Sequence, residues 1–354
     1  MKVYFSVNDL YKQFNPYTWT LADGLKAIDS SVEIIWGHGY FWSDGIYSCD
    51  IVHIHWPEQL LMSHGLHTAV ELKDRLCELK QRGVKIVATC HNLEPHTNRS
   101  VDRVESYDVV YGMADLIFHL GEYSHSLLEK KYPHVKHVEI LHHVYDTVYT
   151  NIPSYSEAIK HLHLNPQYRY VLCFGQFRND EERKLVLGVY GELKNDGYRI
   201  LAPGFSPVAH RRKNIWLLFK TRLSYLKYSL LYPGIIKSFD VVSDKDVPFY
   251  YAASDVCFIQ RKDILNSGNV PLAFYMGNIV IGPDMGNVGP LLRMTKNPVF
   301  NPNDFCSVMD AVREALRMSN EKGLDNRKWA ESNLLTETVC RRILESYRDI
   351  LLCK

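Results

Sequence analysis

The sequence has no C-x-x-C pair, no G-x-x-x-x-G-K-[ST] loop, and no glycine at all over positions 7–14, directly after its first strand-like segment. Without the second motif there is no Walker-type phosphate cradle. Without glycines at the first strand end there is no nicotinamide-dinucleotide fingerprint. No uninterrupted apolar run approaches the roughly 18 residues that span a bilayer. Neither sign of charge is in excess: 41 Lys and Arg stand against 40 Asp and Glu, a net charge of +1 that argues against a general nucleic-acid binder. The N-terminal stretch MKVYFSVNDLYKQ lacks the charged, apolar, small-residue succession of a secretory signal. The eight cysteines are scattered, several within apolar stretches such as Val171–Phe174 and Val256–Phe258. Such cysteines behave as small buried hydrophobes in a reducing compartment. These absences point to a folded, cytoplasmic protein, long enough at 354 residues for about two domains.

What is present is an alternation of strands and helices. Strand-like Lys2–Ser6, Val32–Trp36, Asp50–His55, Val84–Thr89, Leu116–His119 and Val138–His142 alternate with helix-like Thr18–Ile28, Ala69–Arg82 and Ser124–Lys131. The pattern restarts at Tyr170–Phe174, with helix-like Glu181–Asn195 and Val270–Met276 among the strands Tyr198–Ala202, Val256–Gln260 and Ile279–Gly282. Alternation of this kind implies parallel sheets covered by helices on both faces, an α/β fold. The two arrays join near Asn151–Gln167. The expected organisation is one domain over 1–165, a second over 166–335, and a C-terminal helix over 336–354 packing back on the first. Doubly wound sheets bind ligands at the carboxyl ends of their strands, so a cleft between the domains is the expected site.

Four strand-end loops hold the candidate chemistry. In Cys173–Arg178 a strand runs through Gly175 to an arginine just before a helix, where a helix N-terminus and the Arg178 fork could bind a phosphate; a plain turn with a solvated arginine reads the same way. Leu265–Val270 offers small residues (Ser267, Gly268, Asn269) whose amides can approach an anion closely. Thr89–His96 and His53–Glu58 place imidazoles, an indole and a carboxylate where a sugar could be hydrogen-bonded and stacked; structural histidines are the alternative. Fifteen of the sixteen histidines precede position 164. His53 and His55 form an H-x-H pair on one strand face, and with His91 and His96 they are candidate metal ligands. No acidic ligand accompanies them at a recognisable spacing, and a metal-free polar cleft fits the same residues.

Read together, these segments resemble a known family. Asp50–Glu58 (DIVHIHWPE) is similar to the D-[IV]-V-H-x-H-W-P-E stretch of bacterial capsular and exopolysaccharide glycosyltransferases, and Thr89–His96 to their T-x-H-N-x-x-P-H loop. Asn15–Thr18 resembles their N-P-Y-T entry to the first helix, and Asp246–Asp255 the segment before a donor-domain strand. Leu265–Gly268 with Gly277–Pro283 resembles their L-N-S-G and G-x-P-V-V-x-P signatures. The likeness runs from Asn15 to about Gly289.

The resemblance implies a GT-B fold of the retaining family-four type, two Rossmann-like doubly wound domains facing across a cleft. It implies transfer of a hexosyl group from a nucleotide-diphosphate sugar to a saccharide or polyprenyl-diphosphate-linked acceptor in surface-polysaccharide synthesis. On that basis Gly175, Arg178, Ser267, Gly268 and Asn269 serve the donor, His91 sits beside the transferred sugar, and Asn15, Tyr17, Trp56 and Glu58 face the acceptor. No metal and no other cofactor is implied. Two departures stand out. The family's paired glutamates are absent from Leu265–Ala273, and the lysine of its R-x-x-x-K-G pattern is replaced by Glu182. Arg183 or Lys184 would then substitute, with Lys184 preferred. A nucleotide-sugar epimerase of similar architecture, a catalytically silent sugar-binding protein and a histidine-based metal-dependent hydrolase are the alternatives.

One segment is charged unlike the rest. From Gly197 to Phe239 there is no Asp or Glu, yet there are Arg199, Arg211, Arg212, Lys213, Lys220, Arg222, Lys227 and Lys237, interleaved with Trp, Phe, Tyr and Leu. The remainder of the chain holds 33 basic against 40 acidic residues. An amphipathic basic helix within this segment, 199–237, could lie on an anionic membrane surface. A core-packing helix with a solvated basic face, or a contribution to the donor's phosphate site, fits the same composition.

Overall fold

A computed structural model of the chain describes residues 1–8, 16–62, 67–95, 98–205, 215–238 and 240–352. Asn15, His96, Arg211, Arg212 and Lys213 of the sequence reading lie outside the described residues.

Twelve strands among the described residues form two six-stranded sheets, and every pairing is parallel. The first compact unit comprises Met1–Thr147 and Asn333–Lys354, the second Val148–Ser332. In the first, β1 (Lys2–Phe5), β2 (Glu33–Trp36), β3 (Ile51–Ile54), β4 (Lys85–Cys90), β5 (Leu116–His119) and β6 (Lys136–Glu139) lie in the order β2-β1-β3-β4-β5-β6. In the second, β7 (Arg169–Leu172), β8 (Tyr198–Leu201), β9 (Ile235–Ile236), β10 (Val256–Phe258), β11 (Ile279–Pro283) and β12 (Val299–Phe300) lie in the order β12-β11-β10-β7-β8-β9. Each is thus a doubly wound α/β sheet. The strand order reverses between β1 and β3 in one unit and between β7 and β10 in the other, and those carboxyl ends form the ligand crevices of such sheets.

Local sequence explains the elements. All four residues of β3 and all five of β11 are buried, as strands covered on both faces require. The helix Ala69–Gln81 starts at a reciprocal capping box between Thr68 and Glu71 and buries Leu72, Leu76 and Leu79 along one stripe. The second unit's core gathers Val171, Val186, Ile200, Phe258, Ile281, Phe300 and Val312 from its strands and helices. The closing helix Thr336–Leu352 buries Val339, Ile343, Leu344, Tyr347 and Ile350 and packs on the helix Pro16–Ile28.

Two departures from the sequence reading in the first unit bear on the site. A helix over Val101–Met113 connects β4 and β5, where the sequence reading assigns none; its buried face is Ser106, Tyr107, Val110 and Tyr111, with a single aliphatic residue. The strand expected over Val138–His142 lies instead at Lys136–Glu139. Its neighbour β5 ends at His119, opposite Glu139, so no ladder partners remain for the residues beyond. His142 and His143 are therefore released into a loop.

Candidate functional site

At the end of β3 the H-x-H pair meets the corresponding residues of β4. Parallel register sets His53 opposite Val87, so His53 and His55 run alongside Thr89 and His91 on one face of adjacent strands. His53 Nε2 lies 2.7 Å from Thr89 Oγ1, and His55 Nδ1 lies 3.1 Å from His91 Nε2. The His91 ring stacks on Trp56, with centroids 4.6 Å apart, and meets Tyr17 edge-on at 4.8 Å. Tyr17 also contacts His142 and His143 at 4.7 and 4.8 Å. His143 Nε2 is 2.7 Å from Thr20 Oγ1. Trp56, His91 and His142 are partly exposed, while Tyr17, His55 and His143 lie buried beneath them.

Burial pushes these imidazoles toward their neutral forms. His53 falls to about 3, through desolvation and then the His91 charge. His142 falls to about 4, mainly by burial, and His55, His91 and His143 are held well below the ordinary value by burial first and then by neighbouring imidazoles. At neutral pH the cluster is a set of uncharged donors and acceptors. His53 spends both ring nitrogens, one on Thr89 and one on Tyr347 OH at 2.5 Å. Among the described residues no three His, Cys, Asp or Glu are placed to hold a metal ion.

The second unit builds a different site at the carboxyl ends of β7 and β10. Gly175 adopts φ +93°, a left-handed conformation that suits glycine, and a Cβ there would stand 3.3 Å from Asn269 Nδ2. Asn269 Nδ2 donates to the Phe174 carbonyl at 2.9 Å, joining the β7 loop to the loop before helix Asn269–Tyr275. Asn287 fixes that second loop: its backbone N–H donates to Leu265 O at 2.8 Å and its Nδ2 to Asn266 Oδ1 at 2.7 Å. Glu182, only 2 % exposed, accepts the Arg178 backbone N–H at 2.7 Å and Arg261 Nη1 at 2.6 Å. Arg261 Nη2 donates to Gln176 O at 2.8 Å. Arg178 is exposed. Partial desolvation and the neighbouring Arg261 charge lower its pKa, Glu182 and Asp263 oppose this, and a guanidinium stays charged throughout.

The structure thus gathers Gly175, Arg178 and Asn269 into one loop cluster, with Ser267 and Gly268 in the adjoining loop. It does not bring Lys184 there. That residue is exposed two positions beyond Glu182, about 200° around the same helix. Arg183 is also engaged elsewhere, with Nε donating to Phe205 O at 3.0 Å and Nη1 to Asp180 at 3.0 Å. The cation that lies against Glu182 is Arg261, which the sequence reading missed. Its one signal is its place directly after the strand-like segment Val256–Gln260. In the first unit His91, Tyr17 and Trp56 come together, but Tyr17 is buried. Glu58 is buried as well and accepts Tyr107 OH at 2.8 Å. A separate groove of about 900 Å³ lies at the opposite, amino-terminal edge of the second sheet, lined by Arg169, Asp255 and Asn278 among others, away from the loop cluster.

No family model matches the sequence, and no curated protein matches it. Solved structures do. Sucrose-phosphate synthase from Thermosynechococcus elongatus superposes with a TM-score of 0.74 at 13 % identity, over 100 % of this chain and 99 % of that one. The chain has the two-domain GT-B fold. Anabaena HepE in complex with UDP and glucose matches with a TM-score of 0.70 at 10 % identity, over 99 % of this chain and 100 % of that one. A Listeria monocytogenes protein described as a UDP-N-acetylglucosamine 2-epimerase matches with a TM-score of 0.61 at 11 % identity, over 97 % of this chain and 94 % of that one.

Proposed function

We propose that this protein is a nucleotide-sugar-dependent glycosyltransferase that moves a hexosyl group from a nucleoside-diphosphate donor to a saccharide acceptor, lipid-linked, in surface-polysaccharide synthesis. The observation that carries the reading is the loop cluster at the β7 and β10 carboxyl ends, where Gly175, Arg178, Asn269 and Arg261 meet at the strand-order reversal. Arg178 would pair with the donor diphosphate, and the backbone around Ser267, Gly268 and Asn269 would approach it closely. Charge develops on the diphosphate as the glycosidic bond breaks, and a fixed cation beside it stabilises that transition state without an added metal. Arg261 acts through position: tied to Glu182 and Gln176, it holds the Gly175–Arg178 loop in place. In the first unit the neutral His91 beside the Trp56 indole suits hydrogen bonding to, and stacking on, a sugar, with His91 at the transferred sugar and Trp56 at the acceptor. Tyr17 and Glu58 would support that surface from beneath.

Incubation of the purified protein with UDP-, ADP-, GDP- and TDP-sugars and a panel of oligosaccharide and polyprenyl-diphosphate-linked acceptors tests this. Acceptor-dependent release of nucleoside diphosphate is expected; no donor binding or turnover anywhere in the panel overturns the reading. The fold likeness to the Listeria protein favours one competing reaction, epimerisation. An epimerase changes the donor sugar with no acceptor present, and product analysis separates the two.

A further inference from the structure

The helix Ile215–Leu231, between β8 and β9, carries an apolar stripe on its exposed side, unlike an ordinary surface helix. Trp216, Phe219, Leu223, Leu226 and Leu230 recur at alternating steps of three and four, which sets them along one stripe. All five face solvent, from 57 % exposed at Leu223 and Leu226 to 82 % at Leu230. The opposite face is the one that packs inward: Thr221 is buried, and Tyr228 and Tyr232 lie against the core, with the Tyr228 ring edge-on to Phe205 at 5.2 Å. The sequence permitted a core-packing helix with a solvated basic face. The structure instead exposes an apolar stripe, with Lys220 and Lys227 along one flank and Arg222 along the other, all three exposed.

We propose that this stripe is the surface by which the protein seats on an anionic lipid bilayer, with the helix lying in the plane of the interface. Soluble chains rarely leave a continuous apolar patch of this kind uncovered. At 17 residues the helix is about 25 Å long, and no helix among the described residues is long and apolar enough to cross a membrane. In-plane seating needs only one apolar face flanked by cations, with Trp216 at headgroup depth. Charge selects the occupant. A second copy on the same stripe would set Lys220, Arg222 and Lys227 against their own equivalents, in a segment with no Asp or Glu from Gly197 to Phe239. An anionic headgroup layer attracts the same three cations. This proposal is independent of the donor chemistry and would stand if the protein were an epimerase.

Sedimentation of the full chain with sucrose-loaded vesicles tests it, using phosphatidylcholine with or without one-third phosphatidylglycerol. The protein is expected to pellet with the anionic vesicles. The double substitution Leu223→Glu/Leu226→Glu should reduce partitioning by about tenfold or more, since it replaces buried apolar contact with charge. Lys220→Gln/Lys227→Gln should remove the preference for phosphatidylglycerol. Acyl chains brominated near the headgroup should quench part of the indole emission in the parent and none in Trp216→Phe. Every substituted side chain is exposed, and an unchanged unfolding midpoint verifies the fold. Failure to pellet with either vesicle, or equal pelleting of the glutamate variant, overturns the proposal. So does a dimer that the glutamate substitutions dissociate in the absence of vesicle binding, because the occupant is then a second copy.

Discussion

Glu182 and Arg261, 79 positions apart, form an ion pair at 2.6 Å in which the carboxylate side chain is 3 % exposed and the guanidinium 13 %. The same carboxylate oxygen takes the Arg178 amide. A cation from the loop after β10 therefore lies against the position where the sequence places an acid. The pair also ties the β7 loop to the end of β10 through Gln176.

Breaking that pair from one side should be costly. Arg261→Ala leaves Glu182 buried without its counter-charge and is expected to destabilise the protein by about 3–5 kcal/mol. The double substitution Glu182→Leu/Arg261→Leu should cost less than the single one. Urea unfolding of both variants checks this; additive losses would show that the pair is not coupled.

Arg178→Ala and Lys184→Ala should separate the two candidate donor cations. Both side chains are exposed, so stability should move by no more than about 0.5 kcal/mol in either. Affinity for whichever nucleoside diphosphate binds should fall by about tenfold or more in Arg178→Ala, the loss of a charge-assisted contact, and stay unchanged in Lys184→Ala. Titration calorimetry against UDP, ADP and GDP reads the difference.

Gly204→Ala should disturb the Gly175–Arg178 loop from behind. A Cβ at Gly204 would run into the Gly175 carbonyl oxygen, a backbone atom that cannot swing aside. The expected cost is about 1–3 kcal/mol, as for overpacking elsewhere, with weaker nucleotide binding alongside. A variant as stable as the parent would mean the two loops part without strain.

Acid should unfold the first unit through its histidines. His53 and His119 titrate at about 3 and His142 at about 4 in the folded chain, against 6.5 when exposed. Between those values the unfolded chain binds more protons, so the stabilisation is complete above about pH 6.5 and falls as pH drops through that window. Each histidine contributes a slope of about 1.4 kcal/mol per pH unit. Unfolding midpoints measured at pH 7.5, 6 and 5 should decline steadily; a flat profile would contradict burial of neutral imidazoles.

His91→Ala should leave His55 Nδ1 without its partner 3.1 Å away and remove the ring that stacks on Trp56. A loss of about 1–3 kcal/mol is expected from the unpaired buried group. Sugar transfer should fall while nucleoside-diphosphate affinity, which the proposed function assigns to the second unit, holds. Calorimetry and turnover measured on one preparation distinguish these effects.

The sequence by itself determined the alternation of strands and helices, the two parallel arrays and the loops at which β3, β4, β7 and β10 end. Those features are written in local periodicity and in the residues that follow each strand, so Gly175, Arg178, His91 and Asn269 could be singled out before any contact was known. Tertiary structure alone decided the rest. The Arg261–Glu182 pair depends on two loops meeting across 79 residues, a fact no local pattern carries. β6 ends at Glu139 because β5 offers no further partner, and that frees His142 and His143 to reach Tyr17. The segment Asn333–Lys354 joins the N-terminal unit because its apolar stripe packs on the helix Pro16–Ile28. The overall charge of only +1 likewise concealed the helix Ile215–Leu231. Composition showed its cations, but only packing showed that Thr221, Tyr228 and Tyr232 turn inward and leave Trp216, Leu223 and Leu230 to face outward.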